Sequence, residues 1–282
     1  MEKKKRSKER QEVLKKIKRL EAEGRFDEGV EPDLPAPELL PSQVDYLCEK
    51  VSSRGKRFVA NFLADRYFLR LIRKGMMVID GIVGEEHLAA LQNGAVVTCN
   101  HFSPFDHYIV FHCIRRHLPK KYLYKVIREG NYTNFPGLYG FFFRHCNTLP
   151  LSRNRRTMMN FFSATNTLLR RGETILVYPE QEMWWNYRKP RPFKIGAFRM
   201  AYKANVPVVP MLITMCDDEE RMDADGYPLQ RHTLHVLPPI YPDATLGEKK
   251  GAEAMMETAQ QLCKKRYEDV YGVPLVYGGE ME

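Results

Sequence analysis

From residue 75 onward, short runs rich in β-branched and aromatic residues alternate with longer segments of helical periodicity, and this alternation restricts the fold more than any other feature. The runs predict strands over residues 76–80, 95–99, 122–127, 147–151, 174–178, 206–214 and 233–237. The other segments predict helices over residues 85–92, 103–117, 132–144, 155–171, 195–204 and 247–271. Such alternation is typical of an α/β domain in which helices flank a mostly parallel central sheet.

The first 74 residues have a different character. Residues 1–25 predict a charged, basic helix that starts at Lys3-Lys4-Lys5-Arg6 and has few apolar positions. Such a charge run favours a solvated tail, with an electrostatic contact to a membrane or partner as the alternative. Four prolines within residues 30–41 indicate a linker. We predict three segments: a basic helix with a proline-rich linker (1–41), an amphipathic helical segment (42–74) and the α/β domain (75–282).

The segment 42–74 has helical periodicity, with a break expected at Ser52-Ser53-Arg54-Gly55. Apolar residues form a stripe along it, and basic residues lie beside the stripe. The apolar set is Phe58, Val59, Phe62, Leu63, Tyr67, Leu71 and Ile72, and the basic set is Lys56, Arg57, Arg66, Arg70, Arg73 and Lys74. A helix of this type either packs against the main domain or lies in a lipid interface with its aromatic side toward the acyl chains.

Charge and cysteine usage narrow the function classes. The net charge of +9 favours an anionic partner, but zinc-finger spacing and RNA-binding signatures are missing from the sequence, which argues against nucleic acid. No apolar run reaches the roughly 20 residues of a spanning helix, and the charged N-terminus is unlike a secretory signal. The six cysteines are scattered without a Cys-x-x-Cys pair, so we expect reduced thiols and a cytoplasmic location.

The stretch Asn100-His101-Phe102-Ser103-Pro104-Phe105-Asp106 follows the predicted strand 95–99. Ser103 before Pro104 predicts a helix start, which places His101 on a loop and Asp106 in the first helical turn. A strand–turn–helix corner can fold Asp106 back toward His101, and a carboxylate on one imidazole nitrogen leaves the other free to accept a proton. The alternative is a capping box in which His101 is only a loop residue.

Three further strand ends carry polar or proline-rich sequence. Arg153 follows the strand 147–151, Glu180 follows the strand 174–178, and Val206-Pro207-Val208-Val209-Pro210 predicts a proline-bracketed wall. Sites in open α/β sheets lie outside the carboxyl ends of the strands, so these residues are expected near His101. A surface arginine and a structural ion pair are the alternatives for Arg153 and Glu180.

These four blocks, in this order, resemble the glycerolipid (PlsC-like) acyltransferases, which include the glycerol-3-phosphate and 1-acylglycerol-3-phosphate acyltransferases. The resemblance runs from about Met76 to Leu212 and makes residues 75–282 an α/β acyltransferase domain. It implies transfer of a fatty acyl group to a hydroxyl, with His101 as general base oriented by Asp106. The family usually has Gly-Thr-Arg after Pro-Glu, whereas this chain has Gln181-Glu182-Met183.

The resemblance also implies roles at the substrate. Arg153 would hold the acceptor phosphate, Glu180 would accept hydrogen bonds from acceptor hydroxyls or order basic residues, and backbone N–H groups at the Ser103 helix start would stabilise the oxyanion. For the arginine missing at Met183, the substitutes are Arg188, Lys189, Arg191 and Lys194. Trp184 and Trp185 are expected either to form the floor of the acceptor pocket or to pack in the core.

The implied co-substrate is an acyl donor on coenzyme A, acyl carrier protein or phosphate, with no cofactor and no metal. His101, Asp106, His107 and His112 are a rival metal set, but His107 and His112 are five residues apart on a predicted helix and face different directions. The expected partners are a glycerol-phosphate or lysophospholipid acceptor and an anionic membrane surface on the cytoplasmic side. A non-catalytic lipid-surface binder with the same fold is the alternative function.

Overall fold

The computed structural model describes residues 7–32 and 35–278, and a seven-stranded sheet with the order β1-β7-β6-β2-β5-β3-β4 forms its centre. The strands are β1 (Val78–Val83), β2 (Ala95–Thr98), β3 (Leu123–Ile127), β4 (Thr148–Pro150), β5 (Thr174–Val177), β6 (Val208–Met222) and β7 (Pro228–Val236). All neighbouring pairs are parallel except β6 and β7. The predicted α/β class with a mostly parallel sheet is therefore confirmed.

Helices cover both faces of the sheet. They are α1 (Lys8–Ala22), α2 (Val51–Arg73), α3 (Asp106–Ile114), α4 (Glu129–Thr133), α5 (Gly137–His145), α6 (Arg155–Arg170), α7 (Gly196–Ala204) and α8 (Glu248–Tyr271), with 3₁₀ turns at Pro41–Gln43 and Glu85–Asn93. On β2, Val96 packs with α6, α7 and α8, while Val97 packs with α2 and α3. Alternate side chains of a strand point to opposite faces, so this fully buried strand joins two cores.

Two predicted helical segments are divided differently in the structure. The predicted helix 132–144 is two helices, α4 and α5, because Pro136 lies between them and cannot continue a helix from α4. The expected break at residues 52–55 does not occur, because α2 runs unbroken from Val51 to Arg73. A glycine inside a helix costs only about 1 kcal/mol, and burial of Ala60 and Phe68 holds α2 against the domain.

The basic N-terminal helix is docked, which corrects the expectation of a solvated tail. Val13, Ile17 and Leu20 recur at helical spacing on α1 and are buried. They form a third core cluster with Trp184, Trp185, Tyr187 and Tyr227. The residues Lys3-Lys4-Lys5-Arg6 lie outside the described part of the chain, and the division of the chain at residues 41 and 74 stays a prediction.

Among the helices of residues 7–32 and 35–278, none is both long and apolar enough to cross a bilayer.

Docking of α1 predicts a measurable loss of stability on truncation of its central apolar residue. We expect Ile17→Ala to lower the free energy of unfolding by about 2–5 kcal/mol, because it removes a side chain that is 1 % exposed and leaves a cavity. Chemical denaturation of the full-length chain measures this. Lys18→Ala, at the exposed neighbouring position, is the matched control and should change the free energy by less than about 0.5 kcal/mol. Equal stability of the two variants would contradict the docked helix.

Candidate active site

The corner between β2 and α3 brings His101 and Asp106 together. After β2, the side-chain amide of Asn100 continues the sheet pairing, since it donates to the carbonyl of Ile213 (3.0 Å) and accepts from the N–H of Ile213 (2.8 Å). Helix α3 then begins at Asp106, as the first helical turn was expected to contain it. The Nδ1 atom of His101 lies 2.7 Å from Oδ2 of Asp106.

Ser103 is not the cap of α3, because the helix begins three residues later than predicted. Instead, the carboxylate of Asp106 accepts the backbone N–H groups of Phe102 (3.1 Å) and Ser103 (3.3 Å). The Ser103 hydroxyl oxygen accepts the N–H of Phe105. The N–H groups expected to stabilise an oxyanion therefore already have an anionic partner in Asp106.

Electrostatics keep Asp106 ionised and Tyr178 protonated. Burial raises the pKa of Asp106, which is 1 % exposed, but the electrostatic interaction and hydrogen bond with His101 and the hydrogen bond from Tyr178 outweigh it, so the pKa lies below its usual range. Burial and the nearby Asp106 charge raise the pKa of Tyr178 well above its ordinary value. The Tyr178 phenol therefore donates to Asp106 Oδ1. Asp106 thus offers a fixed negative charge to His101.

Tyr178 contacts one face of the His101 ring, and Asp106 contacts one edge of it. It stacks on the Tyr178 ring, with centroids 4.0 Å apart and planes 14° apart. Its side chain is 21 % exposed, and within residues 7–32 and 35–278 its Nε2 atom makes no hydrogen bond. A ring with Nδ1 against a carboxylate and Nε2 open is equipped to accept a proton.

Glu180 and Arg191 form a buried ion pair behind His101. The Glu180 carboxylate accepts the backbone N–H of His101 (3.2 Å) and three N–H groups of Arg191 (2.9–3.1 Å). Arg191 also donates to the carbonyls of Phe26 (3.1 Å) and Glu182. Arg191 is 1 % exposed. This places Arg191 in the support of the loop rather than on a surface that a substrate reaches, and gives Glu180 the structural ion pair named as its alternative.

The other basic residues considered for the acceptor phosphate each face a carboxylate. Arg153 donates to Glu129 (3.1 Å) and to the carbonyl of Ala36, and its side chain is 74 % exposed. The remaining three, also ion-paired, are Lys194 with Asp27 (3.1 Å), Arg188 with Asp217 (2.6 Å) and Lys189 with Glu21 (2.7 Å). At each of these positions the basic side chain is already paired with a carboxylate, so a bound acceptor phosphate shares that side chain with the carboxylate.

The stretch Gln181–Met183, where the chain departs from the family pattern, is a tight turn. Gln181 has a left-handed backbone (φ +67°), and Glu182 accepts two hydrogen bonds from Arg128 at 3.1 and 3.2 Å. The departure therefore introduces a carboxylate, rather than the arginine of the family pattern, beside the carboxyl end of β5.

Trp184 and Trp185 pack in the third core cluster, so the packing alternative describes them. Trp184 is fully buried, its backbone N–H donates to the carbonyl of His101 (3.1 Å), and its indole N–H donates to the carbonyl of Glu28 (2.9 Å). The N–H of Asn186 similarly donates to the carbonyl of Phe102. Trp184 thus fixes the loop that carries His101 against the N-terminal segment.

Lys125 is a residue near the site that the sequence reasoning missed. It lies on β3 with its side chain half-buried, on the same face of the sheet as Leu123 and α3. Burial lowers the pKa of Lys125, and its charge in turn lowers the pKa of His107 on α3 after the larger effect of burial. Within the described ranges it has no carboxylate partner. A lysine inside the predicted buried strand 122–127 was the available signal.

Metal-binding groups do not assemble at this corner. Across residues 7–32 and 35–278, no three or more His, Cys, Asp and Glu side chains lie close enough to share a metal ion.

The His101–Asp106 corner lies within a part of the chain that matches a known protein family. The family model described as Acyltransferase matches residues 81–214, a range that contains both His101 and Glu180. Residues 81–214 therefore form an acyltransferase domain, and the resemblance to the glycerolipid acyltransferases is confirmed.

One solved structure carries the likeness further. The crystal structure of PlsC from Thermotoga maritima, a 1-acyl-sn-glycerophosphate (LPA) acyltransferase, matches with a TM-score of 0.52 at 18 % identity. The match covers 77 % of this chain and 80 % of that chain, so the two share a fold. No curated protein sequence matches the chain significantly.

The Glu180–Arg191 pair gives a prediction about stability. Arg191→Met should lower the free energy of unfolding by about 3–5 kcal/mol, because it leaves the Glu180 carboxylate buried without its cation. The double variant Glu180→Gln with Arg191→Met should lose less, because neither buried charge remains. Urea denaturation of the three chains measures the difference. A single variant as stable as the wild type would show that the pair is not the buried support described here.

Proposed function

We propose that this chain is an O-acyltransferase of phospholipid biosynthesis that moves a fatty acyl group from an activated donor to a hydroxyl of a glycerol-phosphate or lysophospholipid. The observation that carries this proposal is the 2.7 Å contact of His101 Nδ1 with Asp106, which leaves Nε2 open within an acyltransferase domain. The donor is an acyl group on coenzyme A, on acyl carrier protein or on phosphate, and no cofactor takes part.

In the proposed reaction, His101 Nε2 removes the proton of the acceptor hydroxyl as its oxygen attacks the acyl carbonyl. The carboxylate of Asp106 stabilises the imidazolium that forms, and Tyr178 holds the other oxygen of that carboxylate. The tetrahedral intermediate then expels the thiolate or phosphate leaving group, and the imidazolium returns its proton to that group. A positioned base of this kind contributes about 10²–10⁴-fold in rate.

The acceptor needs a cation for its phosphate, and Lys125 is the one we favour. Its side chain lies on the α3 face of the sheet, where its charge lowers the pKa of His107, and it has no carboxylate partner in the described ranges. Arg153 and Lys194 remain proposed contacts that share their charge with Glu129 and Asp27. The Ser103 hydroxyl, close to the corner, is proposed to donate to the substrate because its oxygen already accepts from Phe105.

We also propose peripheral association with the cytoplasmic face of an anionic membrane through α2. The exposed Phe58, Val59 and Phe62 support this, because they lie on the part of α2 that does not pack against the sheet. A lipid acceptor is delivered from such a surface.

The second candidate function is a non-catalytic lipid-surface binder with this fold. The carboxylate of Glu182, which replaces the family's usual Thr, favours it because it neutralises Arg128 beside the position where the family pattern has an arginine. The two functions differ in whether the chain transfers acyl groups, since only the enzyme forms an acylated product.

The proton-transfer role of His101 predicts a large loss of rate. His101→Ala should abolish acyl transfer, and Asp106→Asn should lower kcat by about 10²–10⁴-fold, with the fold intact by circular dichroism. The assay is mass-spectrometric detection of product from a panel of acyl donors and lysolipid acceptors. His87→Ala, at a histidine that lies 3.8 Å from Glu86, is the control and should keep full activity. A fully active His101→Ala chain would reject the mechanism, and an inactive wild type with every pair would favour the lipid binder.

The role of Lys125 predicts a loss that depends on the charge of the acceptor. Lys125→Met should lower kcat/KM by about 10–100-fold for an acceptor that carries phosphate, because a hydrogen bond to a charged group is lost. It should leave kcat/KM unchanged for a neutral monoacylglycerol acceptor. Steady-state kinetics with both acceptors measure the difference. An equal loss with the two acceptors would show that Lys125 does not contact the phosphate.

A further inference from the structure

Tyr178 reaches the candidate base from two directions, because its ring contacts His101 and its hydroxyl contacts Asp106. It is the first residue after β5, and β5 runs parallel to β2 with Val177 beside Thr98. The residues that follow these two strands therefore lie at the same edge of the sheet. The Tyr178 ring stacks on the His101 ring with centroids 4.0 Å apart, and its phenol donates to Oδ1 of Asp106.

The two carboxylate oxygens of Asp106 have different donors. Oδ2 lies against Nδ1 of His101 and accepts the backbone N–H groups of Phe102 and Ser103. Among residues 7–32 and 35–278, Oδ1 accepts only from the Tyr178 phenol. Loss of the phenol would therefore leave a buried carboxylate oxygen without a donor.

The hydrogen bond from the phenol opposes protonation of the imidazole. A donor on Oδ1 stabilises the negative charge of Asp106, and it does so most strongly when His101 is neutral, because an imidazolium on Oδ2 already offsets part of that charge. His101 therefore holds a proton less strongly with the phenol in place. A general base must be neutral before it accepts a proton, so the hydrogen bond keeps more of the chain competent near neutral pH.

We propose that Tyr178 is a positioning residue for acyl transfer, whose hydroxyl limits the proton affinity of His101 through Asp106 and whose ring fixes the plane of the imidazole. This inference rests on the proposed function for the reaction that the base serves. The stacked rings differ by 14° in plane, which holds Nε2 in one direction. Such orientation matters because a displacement of about 1 Å in a reacting group can cost about 10²-fold in rate.

Three other titratable side chains near the corner are neutral near neutral pH. Burial lowers the pKa of His107 to about 3, and burial also lowers the pKa of His232, which stacks on Phe102. Burial, followed by the charge of Asp106, raises the pKa of Cys99 well above its ordinary value. These groups therefore do not add a charge that would imitate an effect of Tyr178.

The charged groups on neighbouring elements act differently from the phenol. The Glu180 carboxylate, which accepts the N–H of His101, is paired with Arg191. Burial lowers the pKa of Lys125 on β3, and loss of that cation lowers activity as the pH rises. Protonation of a general base instead lowers activity as the pH falls. The acid limb of the pH profile therefore reports on His101 and its contacts.

The pH dependence of kcat/KM in Tyr178→Phe tests the hydroxyl alone, because the variant keeps a ring for the stack. The acid limb should move upward by about one pH unit, with kcat on the plateau lowered by no more than about threefold. Tyr178→Leu also removes the ring. It should lower kcat by about 10–100-fold with KM changed by less than about twofold, since a misplaced base slows the chemical step.

Tyr108→Phe is the matched control. Tyr108 on α3 makes the same kind of contact, a phenol that donates to the Asp65 carboxylate (2.7 Å), but this contact does not include Asp106. The control should leave the acid limb within about 0.2 pH units of the wild type. An equal shift in the control, or an unmoved acid limb in Tyr178→Phe, would overturn the role of Tyr178.

A second measurement separates this role from the proposed function. Nuclear magnetic resonance of isotope-labelled histidine follows protonation of His101 in the full-length chain without turnover, and His101→Ala identifies its signal. A higher midpoint in Tyr178→Phe, with no acyl transfer by the wild type, would keep the link from Tyr178 through Asp106 to His101 and reject the catalysis. Acyl transfer with both the midpoint and the acid limb unmoved would keep the catalysis and reject the role of Tyr178.

Discussion

One buried carboxylate determines the geometry of the corner between β2 and α3. Asp106 accepts two backbone N–H groups and the phenol of Tyr178, and its Oδ2 lies against Nδ1 of His101. A carboxylate this deep is costly unless its oxygens are satisfied, so the loop cannot relax without leaving a buried charge unpaired. The turn conformation and the orientation of the imidazole are therefore both consequences of the same charge.

A second buried carboxylate, that of Glu180, connects the loop that carries His101 to distant parts of the chain. The Glu180 carboxylate accepts hydrogen bonds from the backbone N–H of His101 and from the guanidinium of Arg191. Arg191 also donates to the carbonyl of Phe26. Trp184 makes a second link to the same segment, because its backbone N–H donates to the carbonyl of His101 and its indole N–H donates to the carbonyl of Glu28. The N-terminal segment therefore supports the loop of the candidate base, although it lies outside the residues that match the acyltransferase family.

Local sequence predicted those features that local chemistry determines. The seven strands follow from short β-branched runs, and the proximity of His101 and Asp106 follows from a strand–turn–helix corner. The docking of α1 could not be predicted in the same way, because Val13, Ile17 and Leu20 are outnumbered by charged neighbours. Their partners Trp184, Trp185, Tyr187 and Tyr227 lie more than 150 residues away. The structural use of Arg191 was hidden for a related reason, since a basic residue shows its partner only in the folded chain.

The distribution of paired and unpaired cations explains where a net charge of +9 is available to a partner. Around the loop 180–194, carboxylates from the N-terminal segment and from Glu182 neutralise Lys189, Lys194 and Arg128. On the face of the sheet that α2 covers, Lys125 and the exposed Arg66, Arg70 and Arg73 of α2 have no such partners among the residues described. That face is the one against which α3 packs, and α3 carries Asp106 at its first position. Under the proposed function, a phosphate-bearing lipid is drawn toward the helix that positions the candidate base, and the strength of that attraction falls as salt screens the exposed arginines.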